Sequence, residues 1–242
     1  MKKTFALFVL ASLFVLTGCQ KEDDIHPIEI YSHINGVFSV SPTQQVRFAS
    51  GNLEYDSIYH FAENQYDYGG YFGWGTGNHP ADTSISDADY PTFNDWGSHI
   101  GYGWRTLSID EWRYVLYNRP NASDKCGAAV VCGVNGMILL PDDWTAEAAP
   151  EFHGGFDEGW NTNVYDTTAW AEMEAAGAVF LPASSYRDGS QTYYVGLFGL
   201  YWSSTPSGED KAYDVSFFAA EVLIFEGDAR ELGLSVRLVQ NC

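Results

Sequence analysis

Apolar and polar residues alternate with a period of two along much of the chain. In the segments 212–218 and 221–225, the residues that share one apolar face are Val215, Phe217, Val222 and Ile224. Period-two alternation is typical of β-strands with one buried face. A β pattern is also present in residues 36–41, 45–50, 52–55, 58–62, 128–132, 137–140, 200–205 and 234–239.

Helix signals occur in two places. Ser108 and Glu111 have the spacing of a capping box, in which each residue satisfies a free backbone N–H of the first turn, and Pro120 ends that element. A second helix is predicted over residues 168–176, with Gly177 as its stop. The residues predicted to face inward are Trp112, Val115, Leu116, Trp170, Met173 and Ala176. Many strands and few helices predict an α+β fold that is rich in β-structure.

The central part of the chain contains residues typical of a hairpin turn and of strand ends. Asn135-Gly136 predicts a hairpin turn between strand 128–132 and strand 137–140. The stretches 136–141 and 177–182 share a plan of Gly, three apolar residues, Leu and Pro, which indicates two similar strand exits within one fold. Residues 64–103 are aromatic, Gly-rich and acidic, and a loop of that length is either functional or packed by its own side chains.

Composition narrows the classes of partner. The chain of 242 residues has 12 Lys and Arg against 32 Asp and Glu, a formal charge of −20, with 16% aromatic residues. The apolar content supports a core, and the length fits one large domain or two small ones. An acidic field repels polyanions, so no nucleic-acid partner is expected.

The amino terminus has the pattern of a lipoprotein leader. Lys2 and Lys3 precede an apolar run over 5–16 that is too short to span a bilayer as a helix. The following Leu-Thr-Gly-Cys19 resembles the bacterial lipobox, which implies a signal peptide over 1–18 and lipidation of Cys19; the alternative is an ordinary secretory signal. Residues 20–24 are similar to an acidic export tag for the outer face of the outer membrane, or are a solvated linker. We therefore expect a tether over 19–35 and one domain over 36–242.

The cysteines do not form a metal pattern. Lipidation of Cys19 leaves Cys126, Cys132 and Cys242, an odd number that implies at least one free thiol or an intermolecular bridge. Because six extended residues span about 20 Å, Cys126 and Cys132 should not pair with each other on a straight strand. Cys242 could reach either of them.

Two motifs carry a family resemblance. Residues 104–114, Trp-Arg-Thr-Leu-Ser-Ile-Asp-Glu-Trp-Arg-Tyr, resemble the helix entry of formylglycine-generating-enzyme-like domains. Gly199-Leu-Tyr-Trp-Ser-Ser-Thr, then Ala212, then Ser235-Val-Arg-Leu-Val resemble the ending of FISUMP-type (major paralogous) domains and of the lectin-like variable proteins of diversity-generating retroelements. The resemblance covers about residues 36–239 and implies an elaborated C-type-lectin-like fold. It implies little about the ligand, because one fold hosts many functions.

Catalytic signatures are weak. The copper-binding Cys pair of the formylglycine-generating enzyme has no counterpart between residues 132 and 242, no His pair lies within four positions, and no Gly-x-Ser-x-Gly elbow is present. Neighbouring acids such as Asp142/Asp143 and Asp157/Glu158 are expected by chance among 32 acids. Residues 161–166 are weakly similar to a calcium loop but lack its bidentate Glu. We expect no cofactor, with calcium as the alternative.

A ligand-binding surface is predicted on the last strands. In the variable relatives, positions between the Ala and the Ser-Val-Arg ending read the ligand. Carried over by position, the ligand-binding residues are Tyr213, Asp214, Ser216, Phe218, Glu221, Leu223 and Phe225. Phe218, Leu223 and Phe225 should lie outside beside Glu221 and Asp214, an apolar group with a charged rim. The alternative is that both faces are buried. Trp202 and Arg237 are expected to be structural, as a cation–π pair.

These observations favour a surface-anchored, non-catalytic lipoprotein of the outer membrane, facing the exterior. Its domain would bind an extracellular glycan or protein. One rival is an enzyme acting on surface glycans, by hydrolysis or by formylglycine-generating-type oxidation. Another rival is a structural subunit of a surface assembly.

Overall fold

The computed structural model describes residues 32–76, 83–145, 151–156 and 159–242. The predicted signal peptide, Cys19 and the acidic tag lie outside the described residues, as do Asp157 and Glu158. Within the described ranges the fold is α+β and rich in strands, as the hydrophobic pattern predicts. None of the helices in these ranges has the length and apolar character needed to cross a bilayer.

One four-stranded sheet joins the two ends of the domain. Its order is β1-β2-β15-β5, and all of its pairs are antiparallel. The strands are β1 (Phe38–Ser39), β2 (Gln45–Phe48), β5 (Trp104–Thr106) and β15 (Leu238–Asn241). Because β15 pairs with both β2 and β5, the carboxyl-terminal motif and the Trp104 motif are adjacent in space.

The second four-stranded sheet has the order β8-β6-β7-β9. Its strands are β6 (Cys126–Val131), β7 (Val134–Leu139), β8 (Val164–Tyr165) and β9 (Val179–Pro182). The two similar strand exits are neighbours here, since β7 and β9 pair with Met137 opposite Leu181.

The turn predicted at Asn135-Gly136 is wrong. The hairpin turns three residues earlier, at Cys132 and Gly133, whose φ angles of 50° and 84° suit a tight two-residue turn. Gly136 lies inside β7, where an added Cβ would stand 2.3 Å from the Phe180 ring. Its small size therefore serves strand packing rather than a turn.

The third sheet is a three-stranded antiparallel meander that carries the predicted ligand-binding residues. Its strands are β12 (Phe198–Ser207), β13 (Lys211–Phe218) and β14 (Glu221–Ala229). Bulges interrupt the pairing between Trp202 and Pro206 and between Ala212 and Asp214. The remaining strands form two small hairpins, β3 (Leu53–Tyr55) with β4 (Tyr59–Phe61) and β10 (Tyr186–Asp188) with β11 (Gln191–Tyr193).

The helices are short: α1 (Gly97–Ile100), α2 (Ile109–Arg113) and α3 (Thr167–Ala175). The capping box at Ser108 and Glu111 is present, and Arg105 pairs with the Glu111 carboxylate at 2.7 Å. The helix continues through a π-helical turn to Asn118, just before Pro120. The predicted inward side chains Trp112 and Trp170 are both buried.

The segment 64–103 packs through its own side chains. Phe72, Trp74, Tyr90, Trp96 and Ile100 are buried. Except for Tyr90, these residues belong to one of three apolar clusters, together with Trp104, Trp202 and Leu238. This segment therefore covers one side of β12, while Tyr201, Val215 and Phe217 of the same sheet face another cluster.

The predicted cation–π pair between Trp202 and Arg237 is wrong, although both residues are buried in the core. The Arg237 guanidinium donates to Gln65 Oε1 at 2.5 Å and to Asn52 Oδ1 at 3.2 Å, while the Trp202 indole donates to the Phe72 carbonyl. Burial lowers the pKa of Arg237 to about 10. Polar acceptors, rather than a ring, pair with two nitrogens of this buried cation, while its Nε has no hydrogen-bond partner among the described residues.

Cys126 and Cys132 bracket strand β6, and neither is in a disulfide, which confirms that they do not pair with each other. Cys242 is also free, and it is exposed at the carboxyl end.

Candidate functional site

The face of the third sheet opposite Val215 and Phe217 is covered at one end and open at the other. At the covered end, Trp202 lies opposite Asp214, and both are buried. At the open end, Phe198 lies opposite Phe218 and Leu200 lies opposite Ser216. The two alternatives raised by the sequence thus each describe one half of this face.

Two of the predicted ligand-binding residues are not at the open end. Tyr213 packs against the cluster that contains Val215 and Phe217, on the inner side of the sheet. Asp214 is 0% exposed, contrary to the expectation that it lies outside. A bulge between Ala212 and Asp214 shifts the register of β13 at this end, and strand alternation in the sequence does not show such a bulge.

Four of the other predicted residues cluster at the open end. Ser216 pairs with Leu223, and Phe218 pairs with Glu221, across β13 and β14. Leu223 is 38% exposed, Glu221 is exposed, and Ser216 and Phe218 are half-buried. The backbone of Phe225 pairs with Asp214, but its side chain lies outside what the structure describes.

A pocket of about 420 Å³ opens beside this cluster. We call it the tyrosine pocket. Its lining residues are Ser185, Tyr186, Asp188, Tyr194, Phe198, Leu200, Ser216, Asp228 and Leu232. It combines aromatic walls with carboxylates and hydroxyls, which is the usual make-up of a small-ligand site.

The aromatic wall is a chain of ring contacts. Tyr186 and Tyr193 stack with centroids 5.5 Å apart, and Tyr194 contacts both of them. Tyr194 also meets Phe198 at 5.9 Å, and Phe198 meets Phe218 at 5.9 Å. The predicted surface on β13 and the tyrosine pocket are therefore one continuous aromatic surface.

The wall that carries these tyrosines is fixed by backbone hydrogen bonds. The Ser185 N–H donates to the Phe198 carbonyl at 2.8 Å, and Arg187 exchanges two backbone bonds of 2.8 Å with Gly233. Ser185 and Tyr194 both have left-handed backbones, with φ of 60° and 52°. Such conformations are uncommon in residues other than glycine and cluster at functional sites.

The electrostatics of the pocket are acidic. Burial raises the pKa of Asp228, and nearby Lys211 partly offsets this. Burial first, and then repulsion from Asp228, raises the pKa of Asp214 well above its usual range. The pKa of Tyr186 is also raised, by burial and then by its neighbours Tyr194, Tyr193, Asp188 and Asp228. The ionisable groups of Tyr186, Asp214 and Asp228 therefore lie close enough to charged neighbours for each pKa to depend on the charge around it.

The sequence pattern predicts β-structure at residues 193–196 but assigns no binding role to the segment 185–198 or to Asp228. The run Tyr193-Tyr194-Val195-Gly196-Leu197 was the available signal, because it places several large apolar residues beside a turn glycine. Four of its five residues are 41–57% exposed. A run of exposed apolar residues next to a predicted strand is a feature of binding surfaces.

Other sequence candidates have structural roles. Asp142 accepts from the Ser39 N–H at 2.7 Å and pairs with Arg119 at 3.3 Å, and despite opposing burial these contacts lower its pKa. In the weak calcium-loop segment, Asn163 Oδ1 accepts from the His153 N–H at 2.8 Å and Asp166 caps α3. Among the described residues, no group of three or more His, Cys, Asp or Glu side chains could hold a metal ion.

A second pocket, of about 450 Å³, lies between Tyr117, Arg119, Cys126, Phe156 and Val222. Arg119 is committed to carbonyl groups of Val115 and Leu140. Complete burial raises the pKa of the Cys126 thiol to about 12, which makes it unreactive near neutral pH. Its other polar lining residues, Asn121 and Ser123, are exposed, so among the described residues of this lining there is no acidic side chain and no buried unpaired hydroxyl of the kind that the tyrosine pocket presents.

Comparison with known proteins gave no match of any kind: no family model, no curated protein and no solved structure matches the chain.

Proposed function

We propose that the tyrosine pocket and the open end of β13 and β14 form a binding site for an extracellular glycan or protein. The observation that carries this proposal is the unbroken aromatic surface from Tyr193 to Phe218, which surrounds a pocket with oxygen acceptors. Aromatic side chains provide large contact areas at low entropic cost, so such surfaces are typical of recognition sites.

The rest of the proposal comes from the sequence. The lipobox-like Cys19 and the acidic residues after it support a lipid-anchored protein on the outer face of the outer membrane. The Trp104 and Ser235 motifs support an elaborated C-type-lectin-like fold of the FISUMP type. In the variable relatives the matching positions read the ligand; of these, Ser216 lines the tyrosine pocket, and Phe218 contacts Phe198 of its lining at 5.9 Å.

The binding test uses a matched set of substitutions on arrays of extracellular glycans and proteins. Tyr194→Ala and Leu223→Asp change the proposed site. Tyr102→Ala is the control for the first, because Tyr102 has a similar φ of 54° and is 72% exposed. Val164→Asp is the control for the second, because Val164 is 62% exposed on a different sheet.

Both site variants should lose at least about tenfold in affinity, since central aromatic and apolar contacts dominate binding energy. Both control variants should bind as the unchanged protein does. Equal binding by all four variants would place the ligand elsewhere.

An enzyme acting on surface glycans is the second candidate. Asp188 and Asp228 line one aromatic pocket, and the raised pKa of Asp228 is a property of general acids in glycoside hydrolysis. Release of reducing ends from a glycan panel, abolished by Asp228→Asn, would favour this candidate. Retained array binding without turnover would favour the non-catalytic one.

The anchor has its own test. Substitution Cys19→Ala in cells should release the protein from the membrane fraction, and protease added to intact cells should degrade the unchanged protein. Protection from that protease would contradict the outward orientation.

A further inference from the structure

We propose that the tyrosine pocket receives a cationic side chain, lysine or arginine, of a protein partner. This inference rests on the proposed binding function and specifies its ligand. It depends on three features of the pocket and one of its rim.

The first feature is an excess of negative charge. Asp188 and Asp228 line the pocket, and the described residues of its lining include no Lys or Arg. Asp214, two residues before Ser216 on the same strand, is 0% exposed; burial and repulsion from Asp228 raise its pKa well above the usual range, so we do not count it in the charge of the pocket. Lys211 lies close enough to Asp228 to offset part of this charge, but it is exposed and is not part of the pocket lining. A cation entering the pocket would meet the carboxyl groups of Asp188 and Asp228, and it would favour their ionised forms.

The second feature is an unused hydroxyl. Ser185 lines the pocket and is 0% exposed, and its Oγ has no hydrogen-bond partner among the described residues. Buried polar groups are almost always paired in native structures. An ammonium or guanidinium group carries several N–H donors, so one such group could pair with Ser185 and Asp228 together.

The third feature is the aromatic wall. Tyr186, Tyr194 and Phe198 line the same pocket, and rings of this kind attract a cation through their π faces. They also pack against the aliphatic stem of a lysine or arginine side chain. The pocket therefore matches both the charged end and the apolar stem of such a residue.

The rim favours a protein over a glycan. Tyr194 of the lining is 57% exposed, and residues next to the lining in the chain or across the sheet are also exposed: Leu197 at 54%, Leu223 at 38%, and Tyr193 and Val195 at 41% each. Exposed aliphatic side chains around a polar pocket are a feature of protein interfaces, whereas sugar hydroxyls gain little from leucine and valine.

The test uses small blocked amino acids as ligands for the intact domain. Nα-acetyl-lysine methylamide and Nα-acetyl-arginine methylamide are titrated separately, with backbone amide shifts in the NMR spectrum as the readout. The same lysine derivative acetylated at Nζ is the neutral comparison, and glucosamine is the glycan comparison. Affinity for a cationic derivative should exceed that for the neutral one by at least about tenfold, with shifts centred on Ser185, Tyr186 and Ser216.

Substitutions then test which carboxylate of the pocket binds the cation. Asp228→Asn and, separately, the exposed Asp188→Asn should each weaken binding of the cationic derivatives, while Glu172→Gln on α3 removes an equal charge far away and should not. Because Asp188 is exposed, its variant remains informative if Asp228→Asn fails to fold.

Each failure has a distinct meaning. Equal affinity for the cationic and neutral derivatives at these residues overturns the cation preference but leaves the binding site standing. Preference for glucosamine overturns the protein partner. Absence of shifts at these residues with both cationic derivatives overturns the inference, and if array ligands also leave them unchanged, the proposed function fails with it.

Discussion

The ring of Phe217 lies directly over Gly199, its cross-strand partner. A Cβ added to Gly199 would stand 2.0 Å from the ring carbon Cζ, far inside contact distance. Phe217 also stacks on Tyr201, with centroids 6.0 Å apart. The glycine that opens the carboxyl-terminal motif is therefore required by the packing of an aromatic side chain that supports the inner face of the third sheet.

This packing predicts that Gly199→Ala lowers the free energy of unfolding by about 1–3 kcal/mol, the usual cost of forcing extra volume into a packed core. Urea unfolding of both proteins measures the difference. The double variant Gly199→Ala/Phe217→Leu should show a favourable coupling energy, because the ring is the obstacle. Strict additivity of the two changes would contradict this explanation.

Asp214 predicts an unusual pH dependence. Its folded-state pKa is raised, so above about pH 4, the usual range of a free Asp, the native state binds more protons than the unfolded state. Its contribution to stability therefore falls as the pH rises through that range towards the folded pKa. Each unit of pKa elevation corresponds to about 1.4 kcal/mol.

Asp214→Asn removes this cost, so the variant should be more stable than the unchanged protein at about pH 8 and similar to it near pH 4. Thermal unfolding at both pH values makes the comparison, with Asp210→Asn, an exposed acid, as the control. Equal destabilisation by Asp214→Asn at both pH values would mean that the carboxylate has a stabilising partner.

The capping box gives a prediction for α2. Ser108 Oγ accepts from the Glu111 N–H, and the Glu111 carboxylate accepts from the Ser108 N–H at 2.8 Å. Ser108→Ala should cost about 0.5–2 kcal/mol in the free energy of unfolding. Ser108→Thr retains the acceptor oxygen and should recover most of that loss in the same urea titration. Similar losses in both variants would argue against the cap.

The thiols should differ sharply in reactivity. With iodoacetamide at about pH 8, Cys242 should be alkylated in the native protein, whereas Cys126 should react only after unfolding because its thiol is buried and stays protonated. Mass spectrometry of the tryptic peptides separates the two sites. Native alkylation of Cys126 at the rate of Cys242, or a Cys126–Cys132 bridge, would contradict the structure.

Local sequence patterns were sufficient for several elements. The capping box placed α2, and period-two alternation placed Val215 and Phe217 on a buried face, because both signals act within a few residues. The position of the hairpin turn was not predicted because Cys132 adopts a left-handed backbone conformation, which is uncommon for a residue other than glycine. Gly136 looked like a turn residue only because its packing partner, Phe180, is distant in sequence.

The candidate site was only partly predictable for the same reason. Ser216, Phe218, Glu221 and Leu223 lie on adjacent strands, so their grouping follows from strand alternation. The opposite wall comes from residues 185–198, which long-range bonds such as Arg187 to Gly233 bring to the sheet. No local pattern encodes that pairing, and the burial of Asp214 depends on the distant 64–103 segment and on a bulge.

Hydrogen–deuterium exchange, with and without the best ligand from the arrays, tests the binding site most directly. Binding in the tyrosine pocket predicts slowed exchange in residues 185–198 and 214–223, with residues 116–126 and 167–175 unchanged. Protection confined to residues 116–126 or 167–175, with 185–198 unaffected, would contradict it.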